Sequence, residues 1–135
     1  MSDCIFCSII KGEIPCTKVY EDDKIFSFLD IVPVNKGHTL VIPKEHKETI
    51  LDLSEDSFRG LMAAVQKIAK AVIKAVGAKG FNVHINNGEV AGQVVKHAHI
   101  HIIPRFDGDG LQLWKGGKYK GMEAEQIKKD IVNFL

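Results

Sequence analysis

Between Glu55 and Val76 the apolar positions fall at Phe58, Leu61, Met62, Val65, Ile68, Ala69, Val72, Ile73 and Val76. This three- and four-residue spacing lines one face of a long helix. Ser54 supplies an N-cap, Glu55 and Asp56 favour the first turn, and Gly77 stops the helix. Elsewhere the period is two. Val19-Tyr20 and Ile25 to Leu29 read as strands around the acidic turn Glu21-Asp22-Asp23, and Thr39 to Ile42 as a third, closed by Pro43. Phe81, Val83 and Ile85 alternate with Asn82, His84 and Asn86, which predicts another strand after the long helix. A short helix capped by Asp3 runs to about Lys11, with Ile5, Phe6, Ile9 and Ile10 as its apolar side and Gly12 and Pro15 beyond its end. Asp107 to Gly110 reads as a loop, Leu111 to Trp114 as a short strand or arm, and Ile127, Ile131 and Leu135 mark a last helix. Strands with one long helix laid across them predict an α+β fold with an antiparallel sheet, the whole of 1–135 forming one domain.

The most informative strand is the one before Pro104. Residues 97–103 read His-Ala-His-Ile-His-Ile-Ile, with His97, His99 and His101 at alternate positions among apolar neighbours. An extended strand puts the three imidazoles on one face, successive rings roughly 7 Å apart. Three polar rings backed by an apolar face serve packing poorly, so they call for a ligand or for one another. Pairing with the Phe81 to Ile85 strand is predicted to be antiparallel.

Composition narrows the classes. Eighteen lysines and arginines against 17 acids leave no overall field to attract nucleic acid or a membrane surface. Lysines 115, 118, 120, 128 and 129 read as a solvated face. No run approaches the about 20 apolar residues of a bilayer span, and the first residues lack a secretory pattern. A cytoplasmic location is expected. Cys4, Cys7 and Cys16 suit a reducing compartment better than a disulfide framework.

The loop Asn86 to Val94 leads into the histidines. Gly92 permits close backbone approach, the N–H groups beside it suit an anion, and Gln93 and Asn86 add amide donors. A phosphate cradled there lies next to His99. A neutral imidazole attacks phosphorus near neutral pH, and the central ring of the row, His99, is the expected nucleophile. Its two flanking rings are expected to oppose its protonation. His101 donates to a phosphate oxygen or to the leaving group, and His38 completes a relay. Cys4 and Cys7, with His46 and His97, make a tetrahedral zinc set. The alternative is a pair of reduced, packed cysteines.

These residues resemble the histidine-triad (HIT) family, whose motif alternates three histidines with apolar residues as in 97–103. The resemblance extends over Cys4 to Ile10, Phe28-Leu29-Asp30-Ile31, Gly37 to Lys44, Asn86-Asn87-Gly88, Ala91-Gly92-Gln93 and Ile102-Ile103-Pro104-Arg105. It implies a five-stranded sheet continued across a homodimer. It also implies a purine-nucleotide hydrolase or transferase that passes through a nucleotidyl-histidine on His99. Asp30 then holds the ribose hydroxyls and Ile5, Phe6, Ile9, Phe28 and Ile31 seat the base. Bacterial-type members bind zinc through positions matching Cys4, Cys7, His46 and His97. Many members carry Ser or Thr where this chain has Val94, so only the Val94 backbone N–H remains for the phosphate. A nucleoside phosphoramidate is the leading substrate class. A dinucleoside polyphosphate hydrolase, a nucleotide-binding adaptor and a zinc-binding structural protein are the rival readings.

Overall fold

A computed structural model describes residues 3–135. The strands are β1 (Lys18–Glu21), β2 (Ile25–Leu29), β3 (Thr39–Pro43), β4 (Gly80–Ile85) and β5 (Ile100–Arg105). They make one antiparallel sheet in the order β1-β2-β3-β5-β4. The α+β expectation and the antiparallel β4–β5 pair are therefore observed. The central strands β2 and β3 bury both faces, and the outer strands are partly exposed.

Alternation along β3 divides the core in two. Val41 faces the long helix α2 (Glu55–Val76), where it meets Ile25, Ile100 and Ile102 with Leu61, Val65, Ile68 and Val72. Each such side chain contributes about 1.5–3 kcal/mol on burial. Leu40 and Ile42 face the other way and join Phe26 and Phe28 against Phe6 and Ile9 of the short helix α1 (Ile5–Ile10). The predicted signals of α2 all appear: the Ser54 side chain accepts from the Ser57 N–H, and Gly77 ends the helix at φ 69°.

Three expectations are corrected. Asp3 is not the cap of α1; Cys4 is, its extended backbone letting Sγ accept the Cys7 N–H at 3.4 Å. The histidine segment is not one continuous strand. His97 lies in a bend, and regular pairing starts only at Ile100. There the His97 N–H turns back to the Val95 carbonyl at 2.9 Å and the Ala98 N–H goes to Lys47 at 2.7 Å, which takes both donors out of the ladder. The last helix, α3 (Glu123–Phe134), forms, but Leu135 lies beyond it and every residue of it is exposed. Residues 111–114 carry no strand and form an exposed arm.

Among the described residues β4 pairs only with β5, which leaves its outer edge open, and Phe81 and Val83 on its helix-facing side are 42% and 38% exposed. No helix among the described residues is long and apolar enough to cross a membrane.

Candidate active site

The face of the sheet opposite α2 carries the histidines. His101 stands on β5 across from Leu40 of β3 and His84 of β4. His38, the residue before β3, reaches it from the next strand. Gly37 makes that approach possible. Its φ is +87°, and a Cβ there would lie 2.9 Å from Val76 Cγ1 and 3.2 Å from Pro104 Cγ. Only glycine lets the chain pass under α2 and release His38 toward the site.

The hydrogen bonds assign the protons. The Val34 N–H donates to His38 Nδ1 at 3.0 Å, so the His38 proton sits on Nε2. Nε2–H donates to His101 Nδ1 at 2.9 Å, so His101 in turn carries its proton on Nε2. That atom is buried and has no hydrogen-bond partner among the described residues. A buried donor left unpaired costs about 1–3 kcal/mol, which is the signature of a group awaiting a ligand. His99 is oriented the other way round. Its Nδ1–H donates to the His97 carbonyl at 2.7 Å, which leaves Nε2 with the lone pair and no partner among the described residues. The His99 and His101 ring centroids are 4.9 Å apart, closer than the roughly 7 Å of an ideal strand. The bend before Ile100 brings them together.

Burial pushes His38, His84, His99 and His101 down from the ordinary imidazole value. His101 falls furthest, to about 4, because the charges of His99, His84 and His38 add to its burial. Asp30 opposes the shift at His38, His99 and His101. Burial is the first cause at His99, and at His101 the repulsion between the two rings adds to burial.

The predicted binding residues divide by position. Phe6 meets His99 edge-on at 5.2 Å and Phe28 at 5.5 Å, so Phe6, Ile9 and Phe28 are a buried apolar floor. Ile5 and Ile31 are exposed, Ile31 at 89%. One Asp30 oxygen accepts the Val32 N–H at 2.9 Å; the other lies 3.6 Å from His38 Nε2. Gly92, at φ 89°, closes a 3-10 turn, and Asn86 Nδ2 donates weakly to its carbonyl at 3.4 Å. Gln93 is not a free donor. Its amide donates to the Glu48 and Val95 carbonyls at 2.6 and 3.1 Å and accepts the Gly88 N–H, so it braces the loop. The Val94 side chain is 89% exposed, and Val94 N makes no hydrogen bond among the described residues.

The Cys4, Cys7, His46 and His97 donor atoms lie within 4.8 Å of one another. His97 Nε2–H donates to the Pro43 carbonyl at 2.8 Å, which turns the Nδ1 lone pair toward Cys4 and Cys7 Sγ at 3.5 and 3.6 Å. His46 Nδ1 is 3.3 Å from Cys7 Sγ. Tetrahedral bonds of zinc to sulfur and nitrogen give edges of roughly 3.5 Å, so this set fits zinc. Burial and the neighbouring Cys4 push the Cys7 thiol up, a shift that a bound cation reverses.

Two features escaped the sequence. His84 stacks on His101 with centroids 4.5 Å apart, a contact readable only from the β4–β5 register. Asp109 takes both ends of the Arg105 guanidinium at 2.7 and 2.9 Å, the Phe106 N–H and an Asn35 amide, locking the Asp107 to Gly110 loop onto the turn that carries His38. The paired Arg-x-x-x-Asp was its only sequence signal.

Comparison with known proteins places this geometry. The HIT domain matches residues 11–108. The adenosine 5'-monophosphoramidase of Schizosaccharomyces pombe is 48% identical over 125 residues, 93% of this chain and 90% of the relative. The adenylylsulfatase HINT3 of Arabidopsis thaliana is 46% identical over 132 residues, 98% of this chain and 67% of the relative. A HIT family protein from Bacillus subtilis superposes with TM-score 0.91 at 44% identity, covering 98% and 97% of the two chains. A zinc-bound histidine triad family protein from Mycobacterium smegmatis gives TM-score 0.78 at 35% identity, covering 97% and 98%.

Proposed function

The chain belongs to the HIT family, and from that premise we propose that it hydrolyses purine nucleotide conjugates of the nucleoside phosphoramidate type at the α-phosphate, through His99. The observation that carries the reading is the His99 ring itself. Its Nδ1–H is pinned to a backbone carbonyl at 2.7 Å while Nε2 keeps its lone pair inside a cluster of neutral imidazoles.

In the first step His99 Nε2 bonds to phosphorus as the bond to the leaving group breaks and that group departs with the electron pair. Water then attacks the same phosphorus and frees His99. The leaving nitrogen takes a proton delivered through His101 Nε2 as the P–N bond breaks, and the water that attacks in the second step gives a proton back to that relay. Over the cycle water thus supplies a hydroxyl to phosphorus and a proton to the amine. The unpaired His101 Nε2–H donates a hydrogen bond to the phosphoryl oxygen or leaving atom, its direction held by His38. Asp30 accepts from the ribose hydroxyls, and Ile5 and Ile31 complete a base slot over Phe6, Ile9 and Phe28. The Gly92-to-Val94 backbone, with Asn86, receives the phosphate.

Zinc held by Cys4, Cys7, His46 and His97 would tie α1 to the segment before β5 and supply structural stability. The similarity to a zinc-bound relative supports this. The open β4 edge, with Phe81 and Val83 uncovered, supports a homodimer in which the sheet continues into a second copy.

Substitution of His99 by Asn, assayed on an adenosine phosphoramidate and a diadenosine polyphosphate side by side, tests the proposal. Turnover of the phosphoramidate is expected to fall by about a thousandfold or more while nucleotide binding persists. Retained turnover would overturn the role of His99. Preference for the polyphosphate would shift the substrate class and keep the nucleophile.

A further inference from the structure

We propose that His84 is a positioning residue for the reaction: stacked on His101 from the neighbouring strand, it clamps that ring from the side opposite His38 and fixes where its Nε2–H points. The inference rests on the proposed role of His101 as donor.

His84 sits directly across from His101 in the β4–β5 register, and the two rings lie 4.5 Å apart with 32° between their planes. His38 holds the ring through Nδ1 and His99 meets it edge-on at 4.9 Å, which leaves its outer side free to tilt. A flat neighbour on the other side removes that freedom. His84 is the β4 residue paired with His101, because Phe81, Val83 and Ile85 turn to the opposite face of β4. His84 itself makes no hydrogen bond among the described residues.

The charges around it give the clamp a second effect. His84 faces His101 directly, with His99, His38 and Asp30 behind that ring. Arg105, further along β5, is hydrogen-bonded to Asn82 on the face His84 shares and is neutralised by Asp109. Unlike His101 Nε2, the His84 nitrogens are not sealed from solvent. A charge on His84 opposes protonation of His101, adding to the burial that holds that ring low. His101 protonated on both nitrogens would meet the His38 Nε2–H head-on, so the relay survives to lower pH with His84 than without it.

Two variants read this out. His84→Ala is expected to lower kcat about tenfold with KM within about twofold, because orientation is lost and binding is kept. His84→Phe, which restores a flat ring without a titrating nitrogen, is expected to recover most of that loss. In both, side-chain nitrogen NMR should show His101 taking its proton at higher pH than in the native chain. A native kcat in His84→Ala, a loss that falls on KM, or an unmoved His101 titration in His84→Phe overturns the proposal. If the native chain turns over no nucleotide conjugate, the function proposed above fails, while the NMR comparison still decides whether His84 governs His101.

Discussion

Replacing Gly37 by Ala perturbs the approach of His38 without touching a reacting group. Two terms are expected to add. The left-handed backbone at φ +87° costs an L-residue about 1–2 kcal/mol. The added methyl, 2.9 Å from Val76 Cγ1 and 3.2 Å from Pro104 Cγ, forces α2 or β5 to shift at about 1–3 kcal/mol. The sum, about 2–5 kcal/mol, is a large share of the stability of a small domain. Gly12 offers the control: its φ is +80° and nothing lies within 4 Å of the Cβ position, so Gly12→Ala carries the backbone term alone. Urea unfolding of both variants separates the terms, with Gly37→Ala expected to lie below Gly12→Ala by about 1–3 kcal/mol. Displacement of His38 should also lower kcat of Gly37→Ala about tenfold and leave Gly12→Ala near the native rate. Equal denaturant midpoints for the two variants would refute the argument from close approach.

Acid should weaken the fold through the buried imidazoles. His38, His84 and His101 have folded values below the unfolded one, so the unfolded chain binds protons first; stability is full above about pH 6.5 and declines through the value of about 4 at His101. Urea midpoints that do not fall between neutral pH and pH of about 5 would contradict this. The purified protein is expected to carry one zinc per chain and His97→Ala or Cys4→Ala to carry none, as measured by elemental analysis; equal content in native and variant proteins removes the site. Light scattering is expected to give the mass of two chains, and Val83→Lys, which places a charge on the open β4 edge, the mass of one.

Much of the site was legible because its chemistry is written at short range. The alternation from His97 to Ile103 announced a shared face, Cys4-x-x-Cys7 marked two thiols that the fold sets beside His46 and His97, and the apolar period from Phe58 to Val76 marked the helix that covers the sheet. The bend before Ile100 was hidden by the same pattern, since alternation reads as a strand whether or not the backbone donors find a ladder. His97 and Ala98 spend theirs on Val95 and Lys47, partners that only the folded chain supplies. The bracing role of Gln93 was hidden for a related reason: the Glu48 carbonyl that accepts from its amide lies 45 residues away in the chain.

Residue type and local period were thus enough to determine the strands, the long helix, and which imidazoles and thiols are available for chemistry. Tertiary structure alone decided which nitrogen of His38, His97 and His99 carries the proton, because Val34, Pro43 and His97 supply the backbone groups that choose. It also decided that His84 joins the cluster and that α3 stands exposed. Periodicity acts between neighbours a few residues apart, whereas tautomer, burial and ring stacking depend on groups that meet only when β3, β4 and β5 are laid side by side.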